Sequence, residues 1–299
     1  MNKGILKGIT AYVLWGFFPI YWKFLHQVPA LQVIGHRIAW SFLLLVGILL
    51  FTGQWNVFRD SAFQSKTLGI YSIAAVLLTI NWLVYVWGVN AGFIVETSLG
   101  YFINPLISVL LGVLFLRERL RATQWIPIAI AAAGVAYLTA AYGRLPWIAL
   151  TLAITFGFYG LVKKLAPLGS LHGLTLETGI VFPAALLYLL VVGLRGEGAF
   201  LQDGALTTLL LIGAGPVTTL PLLMFASAAR EIPLSIIGLL QYIAPSLQFL
   251  IGVFIYKEPF DRSLLIGFSI VWIALIIFWV ENYFFHRTPV EPIPELGEG

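Results

Sequence analysis

About ten stretches of some 20 predominantly apolar residues follow one another with short connections between them, and this spacing restricts the fold more than any other feature. They lie near 4–25, 31–51, 68–89, 95–116, 123–142, 146–164, 172–194, 205–229, 233–256 and 263–284. About 20 residues of helix are needed to cross a hydrocarbon core. With 60% hydrophobic and only 10% charged side chains in 299 residues, the chain has too little polar surface for a water-soluble globule. The expectation is an all-α membrane protein.

The few charges point to topology rather than to a polyanionic partner. The formal net charge is +4, but the basic residues are scattered between apolar runs and form no stripe, so no nucleic-acid partner is expected. A cytoplasmic N-terminus puts most Lys and Arg inside, among them Arg59, Lys66, Arg117, Arg119, Arg121, Lys163 and Lys164. Lys3 and Lys7 precede a first run that is long, rich in Trp and Tyr, and not followed by a small-residue cleavage pattern, which reads as a membrane helix rather than a removed signal. The longer connections are 52–67 and 195–203, and the Pro-rich, acidic stretch from Thr288 onward is expected to be disordered. The absence of cysteine removes disulfides, thiolate metal sites and cysteine nucleophiles from consideration.

The apolar runs also repeat. The segment from Glu96 to Arg121 matches Gly238 to Glu258 at an offset of 140 without a gap, with Pro105 on Pro245, Gly112 on Gly252, Val113 on Val253, Arg117 on Lys257 and Glu118 on Glu258. The same offset brings Arg37 onto Glu177 and Asn81 onto Pro221. Trp15-Gly16-Phe17 falls on Phe156-Gly157-Phe158 with a slip of one residue. The chain therefore divides into one unit at 1–143, a second at 144–285, and a cytoplasmic tail at 286–299. Five spans per unit force the copies into opposite orientations, the inverted-topology repeat that provides two near-equivalent conformations for alternating access.

The strings Trp15-Gly16, His36-Arg37, Asn81-Trp82, Glu96 through Pro105, Tyr159-Gly160, Glu177-Thr178 and Gln241-Tyr242-Ile243-Ala244-Pro245, in this order, resemble the RarD subgroup of the EamA drug/metabolite transporters. The resemblance covers nearly all of the chain up to His286. It implies a bacterial inner-membrane permease built from two five-helix EamA repeats; no cofactor is expected, and the Lys and Arg distribution puts both termini in the cytoplasm. Members are often labelled as chloramphenicol-sensitivity proteins, which reports a phenotype and leaves the cargo open. A monomer is the expected unit, with oligomeric state left open.

Helix depth locates the candidate site. At about 1.5 Å per residue, Asn104 lies roughly 13 Å into its helix, near the bilayer midplane, with Tyr101 one turn above. Gln241 and Tyr242 reach a comparable depth from the other side. Pro19, Pro105 and Pro245 are expected to kink their helices and to free the carbonyls of Trp15, Tyr101 and Gln241, which a membrane tolerates only against protein or in a wet cavity. Packing prolines do the same without a site, but paired placement with an amide beside each of Pro105 and Pro245 favours a cavity. Trp15, Tyr21, Trp82, Tyr85 and Tyr101 are candidate walls, and Asn81 is a candidate contact whose ordinary role is to join helices.

Four further polar residues are candidates for gating or charge recognition. Arg37 and Glu177 are costly charges within helices, and their depths differ by about 12 Å, too far for a bridge. They read as guards of opposite vestibules, Arg37 for an anionic group and Glu177 for a cation or proton; the structural alternatives are snorkelling for Arg37 and a buried hydrogen bond for Glu177. Glu96 suits the positive end of its helix, with Thr97 or Ser98 nearby. His36 borders the outer interface. Glu118 and Glu258, beside Arg117 and Lys257, read as solvated ion pairs, and Gly4 with Gly8 and Gly88 with Gly92 have the spacing of close helix packing.

These features favour a secondary transporter of small amphipathic metabolites or drugs, in the export direction, with amino-acid or metabolite uptake or facilitated diffusion as the alternative. Its partners are the bilayer and a small-molecule substrate. No Gly-x-x-x-x-Gly-Lys-Ser/Thr string is present for direct use of ATP. Four scattered histidines provide neither a metal cluster nor a nucleophile with its base, so no catalytic or metal residue is expected. No charge ring suggests a channel.

Overall fold

The computed structural model describes residues 3–91, 93–143, 145–257 and 262–285. Among them there is no strand. The helices are α1 (Lys3–Gly16), α2 (Phe18–Lys23), α3 (Ala30–Phe51), α4 (Trp55–Ala62), α5 (Ser65–Asn90), α6 (Ile94–Phe115), α7 (Trp125–Tyr142), α8 (Trp147–Leu165), α9 (Ser170–Leu194), α10 (Ala205–Glu231), α11 (Leu234–Gln241), α12 (Ile243–Leu250) and α13 (Arg262–Phe285). Eight segments are long and apolar enough to cross a membrane, and Leu99–Phe115 and Leu265–Glu281 are shorter apolar stretches. Expected and observed ends agree to within about three residues, because apolar length alone sets them. The expected disordered tail from Thr288, Glu258 and Gly92 lie outside the described residues.

Local sequence explains where helices start, stop and break. Pro19 occupies the first turn of α2, and α1 ends just before it at Gly16, so the first span is broken in two. The ninth span likewise breaks at Tyr242, between α11 and α12, and finishes in a π-helical turn at Ile251–Ile255. Its partner by the 140-residue offset behaves differently: α6 runs through Pro105 without interruption. Of the two equivalent prolines, only Pro245 lies in a span whose helix is interrupted. Gly143, at φ +75°, closes α7 in the left-handed conformation that costs glycine least. α4, in the 52–67 connection, carries no apolar run of membrane length and was not anticipated.

Pairs of helices form the bundle: α3 packs on α9, α7 on α13, α1 on α10, α6 on α8, and α11 on α6. Backbones approach closely at small residues. A methyl group added at Gly238 would lie 2.6 Å from the Pro105 carbonyl oxygen, and one at Gly8 2.8 Å from the Leu240 side chain. The α6–α11 seam is fastened at both depths. Gln241 Nε2 donates to Ser108 Oγ at 2.9 Å, and Tyr242 Oη donates to the Phe102 carbonyl at 3.2 Å. At the end of the bundle carrying the N-terminus, Glu118 accepts from the backbone N–H groups of Leu234 (2.6 Å) and Ser235 (2.9 Å) and from Ser235 Oγ (2.7 Å). Glu118 is therefore a cap for another helix, where its dipole and free N–H groups favour a carboxylate, and not half of a solvated ion pair.

Because the atom opposite Gly238 is a backbone oxygen, Gly238→Ala must push α11 off α6. The expected cost is about 1–3 kcal/mol, visible as a lower melting temperature of the purified protein, whereas Gly69→Ala, which meets nothing within 4 Å, leaves it unchanged.

Candidate functional site

At mid-depth the bundle encloses a cavity of about 270 Å³. The first span contributes Tyr12, Trp15, Phe18, Pro19 and Trp22 to its wall. From α5 come Leu78, Asn81, Trp82 and Tyr85, and from α6 come Gly100, Tyr101 and Asn104. Gln241, Ala244, Pro245 and Gln248 close it from α11 and α12. Spacings of three, four and seven residues put each set on one helix face. Residues 3–9 of α1 are absent from the wall; there Lys7 pairs with Glu231 and bonds to Ser227 Oγ at 2.8 Å. Lys164 Nζ meanwhile donates to the Ile232 carbonyl at 2.7 Å. The lining of the first span, Tyr12 to Trp22, thus places the cavity in the half of the bundle from midspan toward the 24–29 connection.

The sequence candidates Trp15, Asn81, Trp82, Tyr85, Tyr101, Asn104 and Gln241 are brought together in this wall, as are Arg37, Pro19 and Pro245. Tyr242 is not: it is 1% exposed, with its hydroxyl committed to the Phe102 carbonyl. Pro105 lies in the α6–α11 seam, and Tyr21 Oη donates to the Leu210 carbonyl at 2.6 Å instead of lining the cavity.

Partners set the remaining polar character. Asn81 Nδ2 donates to the Leu152 carbonyl (2.9 Å) and Thr155 Oγ1 (3.0 Å), tying α5 to α8 while its side chain borders the space. Pro19 was expected to leave the Trp15 carbonyl to protein or to a wet cavity, and it is protein that meets it: Gln248 Nε2 donates to that oxygen at 3.0 Å. Asn104 Oδ1, Gln241 Oε1 and Tyr12 Oη are buried without a hydrogen-bond partner among the described residues. Three unmatched polar atoms on one wall are costly in a dry interior and suit an occupant that hydrogen-bonds.

The flat surfaces are stacked as well as exposed to the cavity. Trp15 packs against Phe156 with ring centroids 5.9 Å apart, and Tyr85 meets Tyr101 edge to face at 5.9 Å. Arg37 donates from Nε to Thr218 Oγ1 at 2.9 Å, and its Cζ lies 4.5 Å from the Trp82 ring and 4.9 Å from the Trp22 ring. It is the one charged side chain among the described lining residues. Two aromatic faces compensate part of the cost of a buried cation.

The other charged and titratable candidates sit elsewhere. Glu177 does not reach a vestibule. Lys163 Nζ donates to its Oε1 at 2.6 Å and Tyr159 Oη to its Oε2 at 3.1 Å, and both charged side chains are almost fully enclosed at 3% and 2% exposure. Lys163, counted from sequence among the charges on the cytoplasmic side, is its partner because a short connection brings the end of α8 near the start of α9. Glu96 Oε1 accepts from the Ile148 N–H at 2.7 Å, so it caps α8 and not only its own helix. His36 lies against Phe200, ring centroids 5.0 Å apart, in a separate crevice between α3 and α9. Sequence reading missed Tyr12, Phe18, Trp22, Phe156 and Gln248. The recurrence Tyr12, Trp15, Pro19, Trp22, at helical spacing, was the signal available for the first span.

Removing Glu177 alone strands the Lys163 ammonium. Glu177→Ala is expected to lose about 3–5 kcal/mol of stability, seen as a lower melting temperature, and the double change Lys163→Met with Glu177→Leu to recover most of it. Equal melting temperatures for wild type and Glu177→Ala would mean that the pair carries no structural load.

Three comparisons bear on the chain. The model of the EamA-like transporter family matches residues 2–140. Similar proteins include the uncharacterized transporter YojE of Bacillus subtilis, 48% identical over 93% of this chain and 93% of that protein. Protein RarD of Streptomyces exfoliatus is 43% identical over 92% of this chain and 88% of its own length, and Protein RarD of Escherichia coli 38% over 96% and 97%. A solved crystal structure of a protein 18% identical superposes with a TM-score of 0.70, covering 94% of this chain and 99% of that one, and supports the fold.

Proposed function

The chain belongs to the EamA-like transporter family and is a membrane transporter, not an enzyme; from that premise we propose that it carries small amphipathic organic molecules through the mid-depth cavity by alternating access. The observation carrying this reading is the cavity itself: about 270 Å³, aromatic on its flanks, with unmatched amide oxygens at Asn104 and Gln241. This volume lies at the lower end of the range for small-molecule sites, which suits a metabolite of one or two rings.

Two five-span units, residues 1–143 and 144–285, in opposite orientation would supply the two states. Three features support that division. Corresponding spans pack on each other, α3 with α9 and α7 with α13. Arg117 and Lys257, 140 positions apart, both end their helices at φ +53°, a left-handed conformation uncommon outside glycine. The breaks at Phe17 and Tyr242 lie beside the cavity, where bending would alter access. We assign the end bearing Lys7 and Glu231 to the cytoplasm of a bacterial inner membrane, with both termini on that side, so that the described conformation opens outward. Export is the assigned direction. Gradient-driven facilitation is the second reading, favoured by one observation: no acid lines the cavity among the described residues, and Glu177 is already engaged by Lys163.

Counterflow of radiolabelled metabolites in proteoliposomes tests the carrier reading, with acceleration by internal unlabelled substrate as the expected result. Asn104→Ala, Gln241→Ala and Trp82→Ala should each lower the exchange rate about tenfold or more, on the scale of one lost hydrogen bond or ring contact of about 1.4 kcal/mol. Rates unchanged by the two amide substitutions would remove the polar wall from the site. The chain has no cysteine, so single cysteines at exposed Lys66 and Gln202 can be labelled without background. In intact cells an impermeant maleimide should reach Gln202→Cys and spare Lys66→Cys; the reverse pattern inverts the assigned orientation.

A further inference from the structure

Nothing in the cavity balances Arg37. The guanidinium spends one donor, Nε, on Thr218 Oγ1, and among the described residues no carboxylate meets its remaining N–H groups. Its place between the Trp22 and Trp82 rings restrains it without neutralising it. Elsewhere in the described bundle the enclosed Glu177 carboxylate is matched by Lys163. Arg37 has no carboxylate partner among the described residues, and it borders an open space. Tyr85 and Tyr101 line the same cavity with their hydroxyls paired to each other, which leaves one further hydroxyl donor.

We propose that the cargo is a small organic monocarboxylate whose anionic group is received by Arg37 while its apolar body lies among the aromatic side chains. This rests on the transport reading above and narrows it to a substrate class. A guanidinium presents paired donors in a plane that matches a carboxylate, so the contact would be charge-assisted and directional. The opposite wall, at Asn104 and Gln241, is polar but uncharged. An ammonium group would find no counter-charge there and would be repelled by Arg37, and a second anionic group would have no cation to meet. One negative charge, at one end, is what the cavity accommodates.

The test sets 3-phenylpropionate and a panel of other small monocarboxylates against the alcohols and amines of the same carbon skeletons. Binding to the purified full chain in nanodiscs is read as a shift in melting temperature and by calorimetric titration. The expected result is binding of carboxylates at least about tenfold tighter than that of the matching alcohols, with amines weaker still. Arg37→Gln should abolish the preference while leaving alcohol binding in place. Preferential binding of alcohols or amines to the wild type overturns the proposal, as does a panel in which no carboxylate binds, or an Arg37→Gln protein that keeps the preference. The wild-type comparison stands even where Arg37→Gln does not fold. The two readings fail separately: alcohol binding that Trp82→Ala removes leaves the cavity as the site and discards the anion assignment. Carboxylate binding untouched by both Trp82→Ala and Arg37→Gln discards the cavity as well.

Discussion

The contact between α6 and α11 is the seam on which the rest of the bundle depends. Gly238 lets the two backbones approach until only a hydrogen atom fits against the Pro105 carbonyl. Gln241 and Ser108 then bond across the seam at mid-depth, and Glu118 fastens its lower end by capping α11. In hydrocarbon there is little hydrophobic force between helices, so close packing and internal hydrogen bonds decide which helices associate. The cavity lies immediately beside this seam, and Gln241 belongs to both.

A second constraint acts on polar groups, which lipid cannot solvate. The bundle answers it by committing most of them to partners on other spans: Asn81 to Thr155, Glu96 to the start of α8, Gln248 to the Trp15 carbonyl. Of the five unmatched buried side-chain atoms among the described residues, those of Asn104, Gln241 and Tyr12 border one cavity together with the free edge of Arg37, while those of Trp40 and Thr219 lie outside its wall. Glu177 and Arg37 illustrate the contrast, since one charge is neutralised within the protein and the other is not.

Much of this was legible beforehand because it depends on short-range pattern. Apolar length set the spans, and rise per residue put Asn104 and Gln241 at comparable expected depth. Aromatic content along α1 and α5 foretold a wall of rings, although Trp22, beside Lys23, and Phe156, beside Thr155, escaped notice. Tyr242 and Tyr21 were misplaced because adjacency to a lining residue says nothing of direction: the next position on a helix points about 100° away. The solvated reading of Glu118 failed because the start of α11, more than a hundred residues further on, is what it faces.

The sequence by itself determined an all-helical membrane protein and the places of its apolar stretches, since helix length and hydropathy are local quantities. Only the tertiary structure decided which polar group meets which. The partner of Trp15 is 233 positions away and that of Arg37 is 181, and no local rule pairs residues so distant. The selection comes from helix packing, which buries the groups that find partners and leaves the Arg37 guanidinium between two indoles at the edge of an open space.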